Sequence, residues 1–235
     1  SLFPKQVYTP LERCTRSDEV TPAEKALQNA ACVILAGGQG SRVNAKGPKG
    51  LFSVLNKPLF QHHLEKIPAS MPIALMTSPQ NHQETVEYFQ KNGCFGRKIW
   101  FFQQEALPLL DERYRPVGMG PNGNGSLYTS IVAHGILDEY EAMGIDTLLI
   151  SPIENPLAHP ADERLLSFHR QSRADVTIKC VERKQNESMG ALGLENGRIR
   201  IVEYFQIAED PFHYSYMGQA ALSLSFVRRA ASLTL

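Results

Sequence analysis

The 235-residue sequence predicts an α/β domain with a mostly parallel sheet and helices on both faces. Three observations point there. Short apolar runs alternate with segments of helical periodicity almost throughout. The first run, Ala31-Cys32-Val33-Ile34-Leu35-Ala36, is apolar without alternation, as a strand covered on both faces must be. That run breaks at once into Gly37-Gly38-Gln39-Gly40, a tight exit loop.

Taken in order, residues 1–30 read as an N-terminal helical arm packed on the main body of residues 31–235. Its helical patch covers 22–30, because Thr21-Pro22 has the form of an N-cap followed by a first-turn proline. After the loop to about residue 50, apolar positions recur at helical spacing over 59–67, and 73–76 is the next strand-like run, which completes a βαβ unit. Residues 79–91 predict a helix that starts at Ser78, 99–102 a strand, and 107–125 a long loop rich in Pro and Gly, of a length that usually carries function or disorder. Residues 126–143 read as one helix, 147–150 as a strand, 160–171 as a helix and 175–181 as a strand. Asn196-Gly197, between the segments 191–195 and 198–204, is a two-residue hairpin signal and grafts an antiparallel excursion onto the sheet.

Composition bounds the function. With 43% hydrophobic and 20% charged residues the chain can bury a core without disulfides or metals. Twenty-four Lys plus Arg balance twenty-four Asp plus Glu, so no overall field favours a nucleic acid or a membrane surface. No run approaches the ~20 apolar residues of a spanning helix. The start, Ser1-Leu2-Phe3-Pro4-Lys5, lacks the basic-then-apolar pattern of a secretion signal, and a cytoplasmic location is expected. Cys14, Cys32, Cys94 and Cys180 are scattered without a C-x-x-C pair and read as buried thiols in a reducing compartment.

In an open parallel sheet, ligands bind beyond the carboxyl ends of the strands. The first loop is therefore the first candidate. Gly37, Gly38 and Gly40 permit positive φ and close approach of the main chain, and successive N–H groups can form an anion nest. Two named phosphate motifs fail here. Lys49 follows Pro48 and precedes Gly50, unlike a Walker loop, and a dinucleotide fingerprint begun at Gly38 meets Val43 where it needs glycine. What remains is a glycine turn with two cations, Arg42 and Lys49, an arrangement suited to a triphosphate. The alternative is a structural turn with two solvated cations.

Leu35-Ala36-Gly37-Gly38-Gln39-Gly40-Ser41-Arg42 followed by Gly47-Pro48-Lys49-Gly50 resembles the signature loop of the nucleotide-sugar pyrophosphorylases, in particular the UDP-N-acetylglucosamine pyrophosphorylase group of UTP-dependent uridylyltransferases. Later blocks resemble that family in the family's order: Met76-Thr77-Ser78, Phe101-Phe102-Gln103-Gln104, Pro121-Asn122-Gly123-Asn124-Gly125, Ile153-Glu154-Asn155 and Val202-Glu203-Tyr204. The likeness spans residues 31–226 and implies a Rossmann-like, three-layer fold of the nucleotide-diphospho-sugar transferase type, with 31–235 as the nucleotidyltransferase catalytic domain.

The resemblance also implies roles. Leu35, Ala36, Gly37 and Gly38 line the nucleotide, Lys49 binds phosphate, and Gln104 and Gly123 read the uracil edge. Asn124, Gly190 and Glu203 hold the sugar, and Arg42 and Lys49 neutralise charge on the reacting phosphates. The implied reaction joins UTP and a sugar 1-phosphate, with N-acetylglucosamine 1-phosphate leading, and releases pyrophosphate with Mg²⁺ as cofactor.

The match departs from the family at three points. Glu154 and Gln219 stand where the family's metal partners are one methylene shorter, and the family continues into a segment beyond the point where this chain stops. Two other readings stay open. Ala45-Lys46-Gly47-Pro48-Lys49 also resembles the loop of UDP-glucose pyrophosphorylases, which use glucose 1-phosphate, and the longer metal arms suit a degenerate relative that binds a uridine nucleotide without catalysis. The sequence is silent on oligomeric state.

Overall fold

Among the residues described by the computed structural model (8–38, 47–184, 187–203, 207 and 211–233), thirteen strands and six α-helices follow one another. The strands are β1 (Thr9–Pro10), β2 (Ala30–Leu35), β3 (Ser53–Val54), β4 (Lys57–Pro58), β5 (Ile73–Thr77), β6 (Ile99–Gln103), β7 (Ala106–Leu110), β8 (Pro116–Pro121), β9 (Thr147–Pro152), β10 (Val176–Glu182), β11 (Ala191–Glu195), β12 (Arg198–Val202) and β13 (Tyr214–Ser223). The helices are α1 (Leu59–Leu64), α2 (His82–Lys91), α3 (Leu127–Ala133), α4 (Ile136–Ala142), α5 (Glu163–Ser172) and α6 (Leu224–Ala231).

Nine strands form one sheet in the order β1-β11-β13-β9-β2-β5-β6, with β10 on β13 and β12 on β11. Its core is parallel: β2 pairs with β5 and β9, and β5 pairs with β6. The chain steps outward from β2 through α1 to β5 and through α2 to β6, then returns to place β9 on the other side of β2. A topological switch point thus lies at the carboxyl ends of β2 and β9, where such sheets open a ligand crevice.

All six residues of β2 are buried, which explains its unbroken apolar sequence. Val33, Leu35 and Met76 face Leu127, Ile131, Tyr140 and Val227 from α3, α4 and α6. Cys32, Ile34 and Leu75 face Phe60, Leu64, Phe89 and Leu166 from α1, α2 and α5. These are the three layers.

Several elements differ from the sequence reading. The arm packs on α5 through Arg164 Nη1 to Ser17 O (2.7 Å) and Arg170 Nη1 to Ala26 O (2.8 Å). It is not helical over 22–30, because Lys25 and Asn29 adopt positive φ and turn the chain. The predicted helix 126–143 is two helices, broken at Gly135, whose φ of 70° caps α4. The predicted loop 107–125 contains the hairpin β7–β8, closed by Asp111 Oδ1, which accepts from the backbone N–H of Arg113 and Arg115. The antiparallel share of the sheet exceeds one hairpin, since β1, β10 and β13 join β11 and β12 in it. Asn196 and Gly197 take the positive φ values, 51° and 73°, that the hairpin signal requires. Of the four thiols, all free, Cys32 is buried and the other three are partly exposed; Cys180 Sγ lies 3.7 Å from Cys14 Sγ. No helix among the described residues is long and apolar enough to cross a membrane.

Candidate active site

The site begins where β2 ends. Leu35 and Ala36 are buried, and their main chains are committed to the protein: Ile153 N–H donates to Leu35 O (3.1 Å), and Ala36 N–H donates to Met76 O (2.7 Å). The next two amides differ. Neither Gly37 N–H nor Gly38 N–H has an acceptor among the described residues. Both glycines keep φ outside the left-handed region, so the sequence-based expectation of positive φ does not apply to them. They are glycines for room. A Cβ on Gly37 would stand 2.4 Å from Gln104 Nε2, and one on Gly38 would stand 3.1 Å from Lys49 Nζ.

Lys49 reaches this point from a 3-10 turn, Lys49–Leu51, that packs Gly50 against Phe60; a Cβ on Gly50 would lie 2.2 Å from the ring. Lys49 N–H also donates to Gly38 O (3.4 Å), which ties the second loop to the first. The ammonium pairs with Glu154 Oε1 at 2.9 Å, with side chains 21% and 49% exposed. Glu154 follows β9 across the switch point. Among the described residues the crevice is thus lined by two unpaired amides, one cation and one half-exposed carboxylate. Arg42 and Gly40 lie outside the described residues.

Gln104 caps β6. Its backbone N–H donates to Thr77 O (2.8 Å), and the residue is 4% exposed with no side-chain hydrogen bond among the described residues. Its amide nitrogen and oxygen are therefore uncommitted, one pair of donors and one acceptor available to a ligand. The β7–β8 ladder pairs Ala106 with Pro121 and continues through Asn122 N–H to Glu105 O (2.9 Å). Gln104 and Gly123 are the next residues along the two segments. Gly123, at φ 81° and ψ −170°, occupies backbone space that side-chain-bearing residues avoid.

The remaining predicted residues spread wider. Gly190 and Glu203 each sit one residue beyond the paired Ala191 and Val202, at the open end of the β11–β12 hairpin. Glu203 is exposed and has no ion-pair partner among the described residues, so it is not a salt-bridged surface glutamate. Asn124 is exposed at the start of the short turn that leads into α3. Gln219 is 3% exposed, and its Nε2 donates to His159 O (3.1 Å). The structure therefore gives Glu154 and Gln219 separate partners. No group of three His, Cys, Asp or Glu residues gathers among the described residues. A magnesium ion fits Glu154, as a hard ion held by one carboxylate and by substrate phosphates. The bond from Gln219 Nε2 to His159 O leaves Gln219 Oε1, an oxygen donor of the kind the ion takes, without a partner among the described residues.

One residue escaped the sequence reading. Asn81, 2% exposed ahead of α2, donates from Nδ2 to Ala36 O (2.8 Å) and Gly38 O (3.3 Å) and accepts from Ser78 N–H at Oδ1 (2.8 Å). An asparagine before a helix reads as a cap, and nothing in the sequence links it to residues more than forty positions away.

The sequence model of the UTP–glucose-1-phosphate uridylyltransferase family matches residues 3–215. The chain belongs to this family. Similar uridylyltransferase-family relatives include a probable UDP-N-acetylglucosamine pyrophosphorylase of Schizosaccharomyces pombe, 29% identical over 217 residues, covering 80% of this chain and 46% of the relative. A protein of the same description from Encephalitozoon cuniculi is 33% identical over 187 residues, covering 73% of this chain and 53% of the relative. Among solved structures, the UDP-N-acetylglucosamine pyrophosphorylase of Trypanosoma brucei in complex with an inhibitor superposes with a TM-score of 0.78 at 28% identity, covering 88% of this chain and 50% of that one. UDP-glucose pyrophosphorylase of Leishmania major, in complex with UDP-glucose, has a TM-score of 0.83 at 17% identity over 94% of this chain and 56% of that one, a likeness of fold alone. The chain spans about half the length of the curated relatives it matches.

Proposed function

We propose that this chain forms the nucleotide-binding core of a uridylyltransferase that makes a UDP-sugar and pyrophosphate from UTP and a sugar 1-phosphate, with N-acetylglucosamine 1-phosphate as the sugar substrate. The observation that carries the reading is the switch-point crevice, where two unpaired glycine amides stand beside the partly buried ammonium of Lys49. The named activity of the relatives supports the choice of sugar. The free cysteines suit a cytoplasmic location.

Attack by a sugar phosphate oxygen on the α-phosphorus needs in-line positioning and charge neutralisation more than covalent chemistry. Gly37 and Gly38 offer N–H donors to phosphate oxygens, and the absence of a Cβ on each lets Gln104 and Lys49 close on the same stretch of main chain. Lys49 offers its charge to the same oxygens once it leaves Glu154. Released from that pair, Glu154 would hold Mg²⁺. When bound, the ion adds charge neutralisation at the phosphates. Gln104, with its amide unspent, supplies a donor and an acceptor to the uracil edge, and the Gly123 backbone is proposed to read the same edge. Arg42 is proposed as a second phosphate cation, and Asn124, Gly190 and Glu203 as the sugar contacts.

A panel of UDP-sugars assayed for pyrophosphate-dependent formation of UTP tests the proposal. UDP-N-acetylglucosamine should react fastest. A preference for UDP-glucose moves the substrate to glucose 1-phosphate, and no turnover of any UDP-sugar by the folded protein removes the enzymatic reading.

A further inference from the structure

We infer that Asn81 is the positioning residue that turns the nucleotide loop toward its ligand, without touching the ligand itself. The inference rests on the nucleotide site proposed above. A trans peptide is planar, and its C=O and N–H point in opposite directions. Asn81 Nδ2 holds Ala36 O at 2.8 Å, so the N–H of the same peptide, that of Gly37, faces away from Asn81. That N–H has no acceptor among the described residues, and the Gln104 amide lies over the same glycine. The second bond, to Gly38 O at 3.3 Å, holds the next stretch of the loop at the spot where Lys49 N–H also donates.

The Asn81 side chain is itself locked. Its Oδ1 accepts from Ser78 N–H at 2.8 Å, which fixes the amide orientation and leaves Nδ2 as the donor to the loop. Its own carbonyl accepts from the backbone N–H (3.1 Å) and hydroxyl (2.7 Å) of Thr85, one turn into α2. One buried carboxamide therefore ties the end of β5 and the start of α2 to the loop after β2, using its acceptor and both donor bonds. A ligand-free loop with the Gly37 N–H turned outward is thereby set in advance.

Two substitutions separate the parts of this arrangement. Asn81→Asp keeps an acceptor for Ser78 and sets a carboxylate oxygen against two carbonyls; Asn81→Ala removes all three side-chain bonds. Calorimetric titration with UTP should show at least tenfold weaker binding for Asn81→Ala, and weaker binding still for Asn81→Asp. In steady-state assays the KM for UTP should rise at least tenfold, while the KM for the sugar 1-phosphate stays within about twofold. A merely structural role would lower the melting temperature and leave both constants in place, which would overturn the inference.

If neither variant folds, amide exchange in the wild type decides. Gly37 N–H should exchange fast in the free protein and become protected when UTP is added; protection before UTP refutes an outward amide. Wild-type protein that binds UTP, with variants that bind it equally well, overturns the Asn81 role alone. Wild-type protein that binds no UTP overturns the nucleotide-site reading, and the Asn81 role falls with it.

Discussion

Replacing Glu154 with glutamine should push nucleotide binding and turnover in opposite directions. In the structure the carboxylate holds the Lys49 ammonium at 2.9 Å, so a triphosphate arriving without metal must first break that pair. The pair is half-exposed on the glutamate side, at 49%, and an exposed or partly exposed ion pair stabilises by about 1 kcal/mol at most. Removing the competing charge while keeping the shape should therefore tighten metal-free UTP binding by up to about fivefold, because each 1.4 kcal/mol is tenfold. Turnover with Mg²⁺ should fall, since the one carboxylate that fits the ion is gone. Removal of a preorganised electrostatic contact typically costs about 10²–10³ in kcat. Calorimetry with UTP in chelator, beside steady-state rates at saturating Mg²⁺, reads both effects. Weaker metal-free binding in Glu154→Gln, or unchanged turnover with Mg²⁺, would refute the competition between Lys49 and the ion for this carboxylate.

Other outcomes follow from the same geometry. Lys49→Ala should lower kcat/KM by about 10²–10³, measured in the pyrophosphorolysis assay, while the melting temperature moves little. Gly50→Ala drives a Cβ to 2.2 Å from the Phe60 ring; overpacking of about 1–3 kcal/mol should drop the melting temperature by several degrees in a thermal scan. His63 is buried, and burial pushes its imidazole down to about 4 from 6.5. The unfolded chain binds that proton and the folded chain does not, so the contribution is fully present above pH 6.5 and lost as pH falls toward 4. The loss reaches about 3 kcal/mol, and urea titrations between these limits should show a flatter pH dependence for His63→Leu. Burial also pushes the Cys32 thiol up to about 12, so thiol labelling of the folded protein should leave Cys32 unmodified until denaturant is added.

Much of this was legible in the sequence because burial on both faces leaves a plain mark. The run from Ala31 to Ala36 could only be a central strand, and its exit into Gly37 fixed where the ligand crevice opens. Asn196-Gly197 announced a hairpin by chemistry, not hydrophobicity. Elements without a core-facing pattern were opaque. The β7–β8 hairpin exposes Leu107, Leu109, Val117 and Met119, so its residues alternate toward solvent on both faces and read as loop. Gly135 lies inside the predicted helix 126–143, and the backbone uses it to end one helix and start another. In the site, Lys49, Gln104 and Gly123 were visible through motifs, and the structure brings Lys49 and Gln104 to the two glycines. Gln219 was placed by alignment of blocks, which cannot show that its amide is bonded to His159 O. Asn81 carried no signal, since its partners Ala36 and Gly38 meet it only through the sheet.

The most direct test of the nucleotide crevice is a UTP titration followed at individual backbone amides in ¹H–¹⁵N spectra. The largest shifts should fall on Gly37, Gly38 and the Gln104 side chain. Shifts confined to the cavity of about 450 Å³ at the opposite, amino ends of the strands, beside Ala30, Met71 and Ile145, would contradict it.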